Sequence, residues 1–124
     1  MVLGCYFVTK APVGFDQLTS TDDLPRFTDA AEIELALANG HLRTERGTPD
    51  YHRAALYLDG DEWVVTTVGR IMFNDIIPAE LPFQNPVMNK GLLGDLVFDV
   101  FGAAGMSRTT AVLDTLMTCG CGSA

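Results

Sequence analysis

Thr66-Thr67-Val68-Gly69-Arg70 places two β-formers, a glycine and a guanidinium where the flanking pattern passes from strand to helix. The glycine permits a tight backbone approach, and Arg70 falls in the first helical turn. A cation there opposes the helix dipole by roughly 0.3–1 kcal/mol, so Arg70 requires a carboxylate, carbonyl or phosphate to offset it. The other reactive side chains form no comparable set. Zinc needs four ligands, usually in Cys-x2-Cys pairs or with histidines. Cys119 and Cys121 are instead spaced Cys-x-Cys, and His41 and His52 lie in distant segments. Cys5 has no neighbouring base or cation to activate it and reads as a core thiol. His41 follows a helix stop, and His52 opens a β arm beside Arg53, both ordinary surface positions. Asp59-Gly60-Asp61-Glu62 has turn chemistry and lacks the spaced ligands of a calcium loop. Gly102-Ala103-Ala104-Gly105 lacks the Lys and Ser or Thr of a phosphate loop and reads as a helix break. No catalytic residue and no metal ligand is expected in the chain.

The elements that must position Thr66 to Arg70 follow from periodicity. Ala55-Leu56-Tyr57-Leu58 and Trp63-Val64-Val65-Thr66-Thr67 flank Asp59-Gly60, the signature of a tight antiparallel hairpin. Val68, Ile71, Met72, Phe73, Ile76 and Ile77 then recur at helical spacing until Pro78, predicting a short, largely buried helix. Leu81-Pro82-Phe83-Gln84-Asn85-Pro86 must be extended or turned, because proline disfavours helix in the residue before it. Leu92, Leu93, Leu96, Val97, Val100 and Phe101 form an apolar stripe opposite Asp95 and Asp99, ending at Gly102 to Gly105. A second stripe, Val112, Leu113, Leu116 and Met117, begins after a cap at Ser107 or Thr109 and stops at Gly120, so the two should pack as a helical hairpin.

Upstream, Asp29 with Glu32 predicts a capping box for a short helix carrying Ile33 and Leu37 and ending at Asn39-Gly40. Ala11 to Phe27, with Pro12, Gly14, Pro25 and a polar run, reads as a surface loop. Met1 to Val8 is apolar, a helix with Tyr6 and Phe7 on its packing face or a buried strand. It starts without a cap, as a chain cut inside an element would. No charged lead or cleavage site marks it as a secretory signal. The expected fold class is α+β: a β-hairpin segment followed by a short helix, an extended linker and a two-helix hairpin.

A length of 124 residues is enough for one core. A net charge of −8 excludes a basic nucleic-acid module acting alone. Three cysteines cannot all pair, which favours a reducing, cytoplasmic setting, and no run approaches the roughly 18 apolar residues of a membrane span.

Thr66-Thr67-Val68-Gly69-Arg70-Ile71-Met72-Phe73-Asn74-Asp75-Ile76-Ile77-Pro78, followed by Leu81-Pro82-Phe83-Gln84-Asn85-Pro86-Val87-Met88-Asn89-Lys90, resembles the β′ subunit of bacterial RNA polymerase. The likeness begins at Met1 to Thr9 and ends with Leu113-Asp114 to Gly120, covering residues 1–10 and 66–120; the segments between match in kind. It implies that residues 1–124 are the pore domain, truncated at both ends. This is the third domain of the large subunit, lining the secondary channel by which nucleotides enter and backtracked RNA and cleavage factors pass. Membership in a nucleotidyltransferase follows, without its catalytic residues. The family's magnesium-binding Asp-Phe-Asp-Gly-Asp lies upstream, any zinc is held elsewhere, and the bridge helix and trigger loop follow downstream. Thr66, Thr67, Gly69, Arg70, Lys90 and Asp114 become candidate structural or channel-lining residues. The implied partners are the rest of β′, the other subunits, DNA and RNA through the whole enzyme, and passing nucleoside triphosphates, with no membrane. Departures from the pattern are Val65 for an acidic residue, Gly91 for a second lysine and Cys121 for phenylalanine. Of the residues that bind guanosine tetraphosphate in some relatives only Asp114 matches, with Ser107 and Thr118 at the other positions, so no such binding is expected. A rival reading is a free-standing interaction module that binds polymerase or a cleavage factor through Met1 to Val8 or around Cys121.

Overall fold

In the computed structural model, residues 2–12, 14, 15, 22–78 and 80–118 are described. The order is α1 (Val2–Thr9), β1 (Arg26–Phe27), α2 (Ala30–Ala38), β2 (Ala54–Asp59), β3 (Glu62–Thr67), α3 (Val68–Ile76) and α4 (Lys90–Thr118). The arrangement is α+β, with a three-stranded sheet in the order β1-β2-β3. The hairpin forms as its sequence dictates. Asp59 pairs with Glu62 and Ala54 with Thr67, and the two-residue turn opens on Gly60 at φ 66°. A glycine with positive φ in first place is the type II′ solution, whose twist suits antiparallel strands. β1 is a correction to the loop expected over residues 11–27. Arg26 and Phe27 lie parallel to β2, opposite Leu56 and Tyr57. Two residues carry no period, and what seats them is the burial of Phe27 in the core and the Arg26 guanidinium 5.7 Å from the Trp63 ring.

α2 starts at Asp29, whose carboxylate accepts the Glu32 N–H at 3.1 Å. Glu32 reaches back one residue beyond the box expected from sequence, accepting the Thr28 N–H at 2.7 Å and also the Thr28 hydroxyl. The helix ends in a Schellman motif: His41 N–H donates to the Ala36 carbonyl at 2.8 Å and Gly40 N–H to Leu37 at 3.1 Å, with Gly40 at φ 85°. Arg43 then donates to the Leu37 carbonyl through Nε and Nη2, at 3.1 and 2.9 Å, setting a cation at the helix's negative end.

α3 lies between two apolar clusters and contributes to both. Val68 and Ile71 pack with Phe27, Ile33, Leu37 and Ala55, while Phe73 packs with Cys5, Met88, Leu93, Leu96, Val100, Val112 and Leu116. In α1 the buried face is Gly4, Cys5, Val8 and Thr9, whereas Tyr6 and Phe7 are exposed, reversing the face expected from bulk. Small side chains prevail because this helix is held close to its neighbour.

α4 breaks at Gly105, where φ is 85° and ψ 172°, leaving arms 90–104 and 106–118. Their stripes, Leu93, Leu96 and Val100 with Val112 and Leu116, join one cluster, as a helical hairpin requires. The break is narrower than expected, since Gly102 remains helical. Neither Ser107 nor Thr109 provides the expected cap: Thr109 donates back to the Gly105 carbonyl at 2.8 Å, and no cap is seen at Ser107. Against the expectation that no run approaches a membrane span, Lys90–Leu116 is long and apolar enough to cross one by length and composition, yet the helix is interrupted and one stripe of each arm is packed inside. Among the described residues nothing lies within 4 Å of a notional Cβ on Gly94 or Gly102, although each costs about 1 kcal/mol relative to alanine in a helix interior. Cys119, Gly120 and Cys121 lie outside the described residues.

The cap of α2 makes stability respond to acid. Hydrogen bonds from the Thr28 hydroxyl and N–H hold the Glu32 carboxyl below its ordinary value of 4.5. A depressed carboxyl contributes stability above its unfolded pKa and loses it as pH falls through its folded one. The gap in melting temperature between wild type and Glu32→Gln should therefore be widest near neutral pH and close in acid, as thermal denaturation across that range will read.

Candidate functional site

A helix end leaves carbonyls without intrahelical partners, and the end of α1 is turned into the protein against the first turn of α3. Thr9, fully buried, is the junction. Its carbonyl accepts Arg70 Nε at 2.8 Å, and its hydroxyl donates to the Cys5 carbonyl at 2.6 Å and accepts the Met88 N–H at 2.7 Å. His52 Nε2 donates to the Phe7 carbonyl at 2.6 Å, its ring meeting Phe7 edge-on at 4.8 Å. The Arg70 guanidinium also reaches Asn85 Oδ1 at 3.5 Å and lies 5.2 Å from the Phe15 ring centre. The dipole conflict read from the sequence is thereby resolved. Arg70 begins in the unfavourable first turn of α3, but its charged head stands at the negative end of α1.

The neighbouring candidates hold the same junction from the strand side. The Thr67 hydroxyl caps α3 by accepting Arg70 N–H at 3.2 Å. Gly69 N–H donates to Tyr51 at 2.8 Å. A Cβ on Gly69 would sit 1.9 Å from the Val8 carbonyl oxygen and 2.9 Å from that of Tyr51. Only hydrogen fits there. Thr66 is buried, and its hydroxyl has no hydrogen-bond partner among the described residues. Thr66, Thr67, Gly69 and Arg70 are thus together in the interior, while Lys90 and Asp114 are exposed on separate arms of α4. The linker is tied in by two asparagines that sequence reading missed. Asn74 exchanges hydrogen bonds with the Gln84 backbone at 2.7 and 2.8 Å, and Asn85 Nδ2 donates to the Val65 carbonyl at 3.0 Å. An amide within an apolar, proline-bounded stretch was the available signal.

A groove of about 640 Å³ opens between the start of α2, β2, α3, the linker and the second arm of α4, with Asp29, Tyr57, Asp75, Phe83 and Arg108 on its walls. Tyr57 stacks on Phe83 with centroids 4.9 Å apart. Burial first, then the charges of Asp59, Asp29 and Asp75, push its phenol pKa up, keeping it a neutral hydroxyl. Arg108 forms a two-pronged pair with Glu80, holding that carboxyl below its usual range; both are exposed, so the pair adds little stability. Among the described residues neither histidine nor cysteine lines the groove, and no three His, Cys, Asp or Glu side chains converge as a metal would require.

Three substitutions measure what the junction contributes. Gly69→Ala should lower unfolding free energy by about 3 kcal/mol, because two backbone carbonyls must give way. Thr9→Val should cost about 2 kcal/mol by orphaning the buried Met88 N–H, and Thr9→Ser should lose less. Urea denaturation reads all three.

Compared with known proteins, the chain matches no family model. It is 33% identical over 125 residues to the DNA-directed RNA polymerase subunit beta′ of Methylacidiphilum infernorum, covering 97% of this chain and 9% of that one. It is 32% identical over 120 residues to the subunit beta′ of Aquifex pyrophilus and 31% over 137 residues to that of Syntrophomonas wolfei, covering 7% and 11% of their lengths. The similarity therefore runs through the hairpin and the segments before it, beyond residues 1–10 and 66–120. Along nearly its whole length the chain is homologous to one small segment of RNA polymerase β′ subunits.

Proposed function

We propose that this chain is the pore-domain segment of a β′ subunit, forming part of the wall of the secondary channel of a DNA-directed RNA polymerase. The carrying observation is the similarity to β′ subunits over 97% of the chain. The junction adds a physical reason. Gly69 and Arg70, within the stretch that most resembles the family, are engaged in holding α1 and the linker to α3. Such a segment supplies architecture. Nucleotidyl transfer then belongs to the rest of the enzyme, with magnesium held on the upstream aspartates and any zinc elsewhere. The partners are the remainder of β′, the other subunits, nucleic acid through the whole assembly, and nucleoside triphosphates diffusing past the wall. The setting is cytoplasmic, away from membrane. Within this reading Lys90 and Asp114, being exposed, are the candidates to face the channel or a neighbouring subunit. The rival module would use the exposed Tyr6 and Phe7 of α1 to bind a partner.

The genomic locus tests this first: Asn-Ala-Asp-Phe-Asp-Gly-Asp should lie upstream in frame, with the bridge-helix segment downstream. Grafted in place of the matching segment of a β′ subunit, residues 1–124 should support assembly and RNA elongation, read by extension of a labelled primer. In-frame stops on both sides, together with a graft that assembles no enzyme, would overturn the reading in favour of the rival module.

A further inference from the structure

The outer face of the first arm of α4 has a composition that solvent does not explain. At about 100° per residue, Gly91, Gly94, Phe98 and Gly102 fall within an arc of about 80°, opposite the buried Leu93, Leu96 and Val100. Phe98 is 75% exposed, and Phe101 on one shoulder is 47% exposed. Asp95 and Asp99 stand exposed on the other shoulder. Among the described residues, space is open over Gly94 and Gly102, and only the Asn89 side chain approaches Gly91, at 3.6 Å.

We propose that this face seats a second α-helix, from a partner whose contacting flank carries lysine or arginine. Glycine notches on both sides of a phenylalanine knob let another helix backbone come close and wrap the ring. The carboxylates on one shoulder, in a chain of net charge −8, select a cationic flank. A second copy of this chain fits poorly. An antiparallel pair centred on Phe98 brings like shoulders together and sets Asp95 and Asp99 of one copy against those of the other. The inference does not rest on the polymerase reading.

The test uses the full chain and two labelled synthetic helices about 20 residues long, enough to be helical alone. Both carry the same leucine and alanine stripe, one flanked by lysines and its twin by glutamates. Fluorescence anisotropy should show the lysine peptide binding and the glutamate peptide not. Phe98→Ala and Gly94→Leu should each weaken binding about tenfold while leaving the circular dichroism unchanged, since neither site touches the core. Reversing Asp95 and Asp99 to lysine should exchange the peptide preference. Binding that ignores Phe98→Ala and Gly94→Leu would reveal charge attraction alone and overturn the proposal. So would absence of binding, or self-association of the chain that Phe98→Ala abolishes.

Discussion

The carboxyl end of α1 packs against α3, and the carbonyl of its buried last residue, Thr9, must be satisfied without water. Most of the architecture is arranged around that constraint. Phe7 is met by His52, Thr9 by Arg70, and the Val8 oxygen lies so close to Gly69 that no side chain fits between. The first comes from the approach to the hairpin and the other two from the start of α3, and with the Met88 N–H on the Thr9 hydroxyl the linker is collected at the same place. A cation at the negative pole of one helix and the positive pole of another would be awkward in isolation. Shared between the two, Arg70 is favourable where its charge resides.

From this point α3 distributes order to both sides. Its early residues enter the cluster with the sheet and α2, its later ones the cluster with α4, and its Asn74 fixes the linker between them. Packing alone would leave such a linker free to slide, because prolines remove the donors by which backbone registers itself. Side-chain amides replace them, and Asn85 extends the arrangement to β3. Arg43 repeats the principle of Arg70 on a smaller scale at the end of α2, with a guanidinium closing a helix through carbonyls.

How far this was legible in the sequence depends on range. The hairpin, α2 and α3 follow from local turn chemistry and period, and the structure differs from those expectations by a residue or so. That Arg70 needed a partner was legible too, because the dipole of its own helix is a local matter. That the partner is the Thr9 carbonyl was not, since 61 positions separate them. β1 was invisible because two residues have no period. The face of α1 was misjudged because bulk predicts which residues prefer burial, whereas a close helix contact selects for fit, and Gly4, Cys5 and Thr9 are what fits. Gly102 and Gly105 looked alike in sequence, yet only Gly105 takes the left-handed conformation.

The span of these contacts bears on how the chain is made. Thr9 and Met88 are 79 positions apart, and their hydrogen bond joins the first helix to the threshold of the last. During synthesis α1 emerges before its partners, and the Thr9 contacts stay unmade until α3 and the linker have followed it out of the ribosome. Closure over such distances is slow beside the local formation of a hairpin or helix. The sheet and α2 can therefore order first, and α1, although made before them, is among the last to find its place.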